Sequence, residues 1–284
     1  MTALPIPARK EDRLAERDFH RLSQFIYDYS GIKMPPNKRT MLEGRLRKRM
    51  RETGYYRFDD YCRYLFNEDG LQTEAVDLID VVTTNKTDFF REPRHFEFMA
   101  KTALPAIAAR TGGAVRAWSA ASSTGAEAYT MAMVMEDYAE RRPSFDYRIL
   151  ATDLSTHCLV AAHRGVFPQA MVEPVPAHMR RQFVLTSKDP RRREVRIHPR
   201  LRSKIAFGRL NLMDDHYAAV GEPMDMIFCR NVLIYFDKPT QAGVLKRLTD
   251  RLAVGGYLFI GHSESTQGVD LPVEQVAHTV FQKV

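Results

Sequence analysis

The chain has 284 residues, 44% hydrophobic and 27% charged, with a formal net charge of +7, the balance of a soluble globular protein that favours an acidic partner. No apolar run reaches the roughly 20 residues of a membrane helix, and the opening MTALPIPARK lacks the charged leader and apolar core of a secretion signal. Cys62, Cys158 and Cys229 lie far apart in apolar contexts, with no zinc-ligand spacing, as expected of reduced thiols in a cytoplasmic protein.

The first part of the chain reads as helices. Phe19, Leu22, Phe25, Ile26 and Tyr29 recur at helical spacing between Glu11 and Tyr29, and Ser30-Gly31 with Pro35-Pro36 ends that run. A second helix is predicted over Lys38–Thr53, with Leu42, Leu46 and Met50 as its apolar stripe and Gly54 as its stop. Lys38, Arg45 and Arg49 line one flank of it, and Arg47 and Arg51 the other. Asp59 or Asp60 caps a third helix that turns Tyr61, Tyr64 and Leu65 inward, and a fourth runs from Thr73 to Val82. Together they make a helical domain over 1–82. A linker and leading helix follow over 83–110: the polar run TTNKTDFFRE from Thr83 to Glu92, then Pro93 in the first turn of a helix carrying Phe96, Met99, Leu104 and Ile107.

After Thr111-Gly112-Gly113, strands and helices alternate. Val115–Trp118 is a strand, Ala126–Ala139 a helix and Tyr147–Thr152 a second strand, with Ser155 capping the next helix. Pro174 and Pro176 open a short helix, and two alternating runs between Phe183 and Pro199 flank DPRRR, a β-hairpin inserted within a subdomain at 176–204. Ile205–Phe207 and the buried run Met224–Cys229 resume the strands. A helix over Pro239–Leu252 ends at Gly255-Gly256, Tyr257–Ile260 is the next strand, and Val273–Phe281 supplies a final antiparallel pair. The domain over 111–284 is therefore expected to be α/β, with a mostly parallel doubly wound sheet that binds ligands at the carboxyl ends of its strands.

The stretch VRAWSAASSTGAEAY, Val115–Tyr129, passes from strand to helix through small residues. A turn of that kind is expected to leave backbone N–H groups pointing into open space, ready for a nucleotide-like ligand. It holds the single glycine Gly125 instead of the three of a dinucleotide fingerprint, so an adenosyl cofactor without a pyrophosphate fits better than NAD. Asp153, at the tip of the second strand, reads equally as an acceptor for ribose hydroxyls and as an acid at the N-terminus of the next helix. Asn211 and Arg230-Asn231 stand at two further strand ends, while His262 and Glu264 read as loop residues. Asn85, Thr87 and Arg91, taken alone, read as helix-capping and linker residues.

TTNKTDFFRE, WSAASSTGAEAY, ATDLS, IFCRNVLIYF and the late GHSE, in this order and spacing, closely resemble the CheR-type chemotaxis receptor methyltransferases. The resemblance covers nearly the whole chain. It implies an all-α N-terminal domain joined to a Rossmann-like domain with an inserted β-hairpin, binding S-adenosylmethionine, releasing S-adenosylhomocysteine and using no metal. By matching motif, it implies cofactor contacts at Asn85, Thr87, Arg91, Glu127, Asp153, Asn211, Leu212, Arg230 and Asn231, with Arg91 and Tyr235 at the reacting centre. It also implies that the substrate is a set of glutamate side chains on the cytoplasmic helices of chemoreceptors, met by Arg45, Arg47, Arg49 and Arg51. Some members dock a receptor's C-terminal peptide on the β subdomain by strand addition. The chain departs from the family in reading GAEAY where the family reads GEEPY, with Ala126 and Ala128 replacing an acid and a proline.

Transfer of a methyl group to a carboxylate needs no general base, because glutamate, with a pKa of about 4.3, is already ionised at neutral pH. Two other readings are weaker. A nucleic-acid methyltransferase calls for aromatic stacking positions among its basic residues, and none lies between Lys38 and Arg51. A non-catalytic cofactor-binding signalling module is opposed by the retention of Arg91, Glu127, Asp153, Asn231 and Tyr235.

Overall fold

The computed structural model describes residues 12–189, 191–218 and 220–284; the predicted helix start at Glu11 and the segment read for a secretion signal lie outside the described residues. The chain divides into two compact units, 1–83 and 84–284.

The first unit contains helices α1 (Glu16–Ser30), α2 (Arg39–Glu52), α3 (Phe58–Asn67) and α4 (Leu71–Val82). Gly31 ends α1 in the left-handed region at φ 72°, its N–H returning to the Tyr27 carbonyl. Phe19, Leu22 and Ile26 of α1, the α2 stripe of Leu42, Leu46 and Met50, Phe58, Tyr61 and Leu65 of α3, and Leu78, Ile79 and Val82 of α4 are all buried. The start of α3 differs from expectation. Asp59 and Asp60 lie inside its first turn, where their charge opposes the positive end of the helix dipole. The Phe58 N–H is taken by the Asp12 carboxylate at 3.2 Å.

The second unit opens with α5 (Pro93–Phe98), which runs through a π-helical turn at Met99–Ala103 into α6 (Leu104–Thr111). Then come β1 (Ala114–Ala120), α7 (Ala126–Ala139), β2 (Asp146–Asp153), α8 (Thr156–Arg164) and β3 (Val166–Pro168). α9 (Ala177–Phe183), β4 (Val184–Thr186), β5 (Glu194–Ile197) and α10 (Pro199–Arg202) follow, with β6 (Ile205–Arg209) and β7 (Met224–Cys229) after them. α11 (Lys238–Asp250), β8 (Leu252–Ile260), β9 (Val273–Ala277) and β10 (Val280–Lys283) complete the unit.

The main sheet has the order β6-β2-β1-β7-β8-β10-β9. Its first five strands are mutually parallel, and β10 runs antiparallel to both neighbours. This is the doubly wound, Rossmann-like arrangement, with the strand order reversing at β1. Every residue of β7 is buried, which is why MDMIFC reads as a continuous run with no alternation.

Two details depart from the sequence reading. Gly255 and Gly256 do not end α11; they lie within β8, where the register with β7 shifts between Met224 and Met226. A Cβ on Gly256 would stand 2.8 Å from the Ala253 carbonyl oxygen and 2.9 Å from that of Asp225, so the close strand approach requires glycine. The predicted hairpin, β4 with β5, gains β3 on its other side to make a three-stranded sheet ordered β3-β5-β4. The three cysteines are free and buried, and burial pushes the thiols of Cys62 and Cys229 upward. Among the described residues no helix is long and apolar enough to cross a membrane.

Candidate functional site

Strand register builds the site edge. Ala120 lies beside Thr152 and Cys229, Asp153 beside Arg209, and Cys229 beside Ile260. The five parallel strands thus end together, and the loops beginning at Ala121, Leu154, Leu210, Arg230 and Gly261 share one edge. Because the order reverses at β1, the loops after β1 and β7 border a crevice there.

The turn from β1 to α7 is tighter than its small residues alone imply. Ala121, Ser123 and Gly125 take φ of 59°, 52° and 88°. A Cβ on Gly125 would meet Ala162 Cβ at 3.0 Å, so this position needs glycine for both space and backbone. Three of its N–H groups are taken within the fold, contrary to the expectation from sequence. Ser122 N–H donates to the Thr152 carbonyl at 2.8 Å, Ser123 N–H to Asp153 Oδ2 at 2.7 Å, and Gly125 N–H to the Ser122 carbonyl at 3.0 Å. The left-handed residues fold the turn back onto β2, which consumes these donors. The side chains and carboxylates around the turn therefore offer the polar contacts.

Asp153 is buried and braces that turn, because Oδ1 also accepts the Ser155 N–H at 2.8 Å. Ser123 Oγ donates to the Asn85 carbonyl at 2.7 Å, and Leu210 N–H to the Asp153 main-chain carbonyl at 3.1 Å, so Asn85, the turn and the start of the Asn211 loop are joined through Ser123 and Asp153. The Asn211 side-chain oxygen accepts the Met213 N–H at 3.0 Å, an Asx turn that presents the buried Leu212. The Leu212 carbonyl is held by Tyr217 Oη and Arg247.

A second cluster lies around Arg230. Ser119 Oγ donates to Glu127 Oε1 at 2.7 Å, and Arg230 Nη1 to Glu127 Oε2 at 3.1 Å. Arg230 Nη2 donates to Glu92 Oε2 at 2.9 Å, while Asn231 Nδ2 and His262 N–H reach Glu92 Oε1 at 3.0 and 3.3 Å. Burial pushes the Glu127 carboxyl up against the opposing pull of Arg230 and Ser119. Burial also raises Glu92, but Asn231, Arg230 and the His262 N–H together outweigh it and bring that carboxyl down to about 2. Buried His95 stands 3.5 Å from Glu92 Oε2 and shares a hydrogen bond with Thr279; burial and Arg230 lower it to about 4, so it is neutral at pH 7. Glu92, His95 and His262 offer three ligand atoms within 4.8 Å of one another. Arg230 already pairs with that Glu92 oxygen, and its fixed charge opposes a metal cation there.

Arg91 is half-buried, its Nη1 donating to the Lys86 carbonyl at 3.2 Å and its own carbonyl bonded by Arg230. Thr87 is half-buried in the same loop, and Tyr235 is half-buried in a 3₁₀ turn just after Asn231. That turn is organised by Glu264, which accepts the N–H groups of Gly261, Asn231 and Ile234, consistent with its reading as a loop residue.

Sequence reasoning left Glu92, Ser119 and Ser123 without a role. For Glu92, the available signal is an acid placed directly before Pro93 at the end of TTNKTDFFRE.

In the first unit the arginine-rich flank is less open than its charge count implies. Arg45 donates to the Val82 and Thr83 carbonyls, and Arg47 to the Asp12 carbonyl, with its guanidinium 4.8 Å above the Phe58 ring. Arg49 bonds both Glu74 oxygens at 2.8 Å and also Asp77, whereas Arg51 is exposed. Besides Glu52 of α2 at 3.7 Å, the acids that neutralise Arg49 are Glu74 and Asp77 of α4, which spacing within α2 does not reveal.

The site thus sets the Glu127 carboxylate beside the buried guanidinium of Arg230 and the Asp153 carboxylate against the β1–α7 turn, and Arg230 Nε and Ser122 Oγ are buried without a partner. Such a donor and acceptor set suits a ligand bearing hydroxyls and a zwitterionic amino acid, and it lacks a phosphate cradle.

Comparison with known proteins agrees. The family model "CheR methyltransferase, all-alpha domain" matches residues 17–83, and "CheR methyltransferase, SAM binding domain" matches residues 85–281. The chain is 35% identical to chemotaxis protein methyltransferase 2 of Pseudomonas aeruginosa over 282 residues, covering 99% of this chain and 98% of that one. It is also similar to the chemotaxis protein methyltransferases of Escherichia coli (35% over 281 residues; 99% and 95% covered) and Klebsiella aerogenes (38% over 269 residues; 94% and 90%). On these matches the chain belongs to the CheR methyltransferase family and is an S-adenosylmethionine-dependent methyltransferase.

Proposed function

We propose that the protein methylates glutamate side-chain carboxylates on the cytoplasmic helices of chemoreceptors, giving glutamate methyl esters, and that the edge described above holds the methyl donor. The observation that carries this reading is the convergence of Asn85, Glu127, Asp153, Arg230 and Asn231, drawn from separate motifs of the family, on the carboxyl edge of the parallel strands.

Bound S-adenosylmethionine supplies a methyl group made electrophilic by its sulfonium. Asp153, at the tip of the second parallel strand, accepts hydrogen bonds from the ribose hydroxyls. Glu127 and Arg230 hold the charged groups of the amino-acid moiety. Asn85, Thr87, Asn211, Leu212 and Asn231 complete the contacts on the two sides of the crevice. Arg91 meets the incoming glutamate carboxylate, and Tyr235 orients it with one hydrogen bond. Because that carboxylate is ionised at neutral pH, the protein's task is to position a weak nucleophile and remove its water.

Arg51 is the exposed member of the α2 arginines and attracts an acidic receptor helix, an attraction that salt weakens. In the small sheet both β3 and β4 are edge strands, open to a receptor tail added as a further strand, near Arg191, Arg192 and Arg193. The deciding experiment incubates the protein with labelled S-adenosylmethionine and native receptor membranes. Mass spectrometry is expected to find a base-labile methyl ester on receptor glutamate. Label on nucleic acid instead, or on nothing despite cofactor binding, selects one of the two rival readings.

A further inference from the structure

We infer that Glu92 is a positioning residue for the methyl donor, acting through Arg230 and Asn231; the inference rests on the reading of that pair as cofactor contacts. Its backbone is the first sign. Glu92 takes φ 57°, in the left-handed region, although it directly precedes Pro93, where extended backbone is the norm. A non-glycine residue held there is strained and persists because its surroundings fix it. The conformation aims the carboxylate back across the ends of β7 and β8.

Both oxygens are then occupied by groups from those two strand ends. Oε2 takes Arg230 Nη2, and Oε1 takes Asn231 Nδ2 together with the His262 N–H. The Asn231 amide packs directly on Gly261, where a Cβ would stand 2.6 Å from Nδ2, so that strand end needs glycine for Asn231 to sit there. Asn231 is itself left-handed at φ 60°. Arg230 is 1% exposed in its side chain and is shared between Glu92 and Glu127, with Nε unpartnered. Removing the Glu92 charge leaves the guanidinium bonded to Glu127 and the Arg91 carbonyl, and leaves Asn231 without its side-chain anchor. Glu92 need not touch the cofactor to exert this effect.

The test compares wild type with Glu92→Gln, which keeps the shape but removes the charge and turns one oxygen into a donor facing donors. Calorimetry with S-adenosylhomocysteine should show Kd rising about tenfold or more, and KM for S-adenosylmethionine rising with it. KM for receptor membranes should stay as in wild type. Glu92→Asp, which keeps the charge on a shorter arm, should recover part of the loss. An unchanged Kd, even with a lowered Tm, overturns the inference and leaves Glu92 a structural residue. If Glu92→Gln does not fold, Glu92→Asp decides: weakened binding of S-adenosylhomocysteine supports the inference and wild-type binding overturns it. Wild-type protein run alongside separates the claims. Its failure to bind S-adenosylhomocysteine removes the proposed function together with this inference, whereas normal binding by wild type and variant alike removes this inference alone.

Discussion

The main-chain N–H of Ser123 donates to Asp153 Oδ2 at 2.7 Å, tying the turn after the first strand to the tip of the second. The same carboxylate accepts the Ser155 N–H, so one side chain shapes the loops that follow both strands. Asp153→Ala removes an ionised acceptor from two buried N–H groups. It should lower stability by about 1–3 kcal/mol and weaken S-adenosylhomocysteine binding by at least about tenfold. Asp153→Asn, which keeps one acceptor oxygen, should fall between. Denaturant melts and calorimetry check both numbers, and a variant as stable and as tightly binding as wild type would remove this role.

Substitution of Arg91 should separate binding from chemistry. Its guanidinium is half-buried and bonded only to the Lys86 carbonyl among the contacts seen, so a substrate carboxylate can compete for it. Arg91→Ala is expected to lose most turnover, on the order of a hundredfold, if the guanidinium acts in the transition state. Cofactor affinity should remain measurable. A receptor methylation assay beside a binding measurement reads the split, and unchanged turnover takes Arg91 out of the reacting centre.

The α2 arginines should behave as two classes. Arg49, bound to Glu74 and Asp77 and largely buried, should cost about 1–3 kcal/mol of stability when changed to alanine, since it leaves the buried Glu74 without its partner. Arg51→Glu should leave stability within about 0.5 kcal/mol and weaken receptor association at low salt, with the difference fading as salt rises. Thermal melts and salt-dependent pull-down with receptor membranes distinguish the classes. Equal effects of both substitutions on both readouts would contradict this division.

The His95–Glu92 pair sets a pH limb. His95 is held neutral, its folded pKa lowered from 6.5 to about 4 by burial and by Arg230, with Glu92, His262 and His278 also facing it. Below 6.5 the unfolded chain binds a proton that the folded one refuses, so stability falls as pH drops from 6.5 toward 4. Glu92 is lowered from 4.5 to about 2, and its contribution, present above 4.5, is lost as pH falls from there toward 2. His95→Asn should flatten the upper part of this decline and leave the lower part in place. Stability measured by denaturant melts from pH 7 to pH 4 is the check, and an unaltered slope would count against His95 as its source.

Much of the fold is legible from pattern. Helix α7 spans Ala126–Ala139 and strand β7 spans Met224–Cys229, the bounds their local composition indicates. The α2 stripe of Leu42, Leu46 and Met50 is buried as its spacing requires. The helix predicted over Pro239–Leu252 is cut short at Asp250, because Leu252 pairs with Met224 and strand pairing overrides the local glycine signal. β3 escapes notice because three residues carry too little alternation, and its pairing with β5 comes from a distant segment.

By itself, the sequence determined the order of elements, the α/β class and the family motifs, because hydrophobic period and turn chemistry act within a few residues. Tertiary structure alone decided which side chains meet. Glu92 reaches Arg230 and Asn231 across more than a hundred positions of chain, and only because Phe90 and Glu92 adopt left-handed backbone that their residue types do not announce. The β1–α7 turn closed its N–H groups onto Thr152 and Asp153 for the same reason. Arg49 found two of its acids on another helix. Charge in a sequence can be counted, but whether it is offered to a partner or neutralised within the fold is settled by long-range packing.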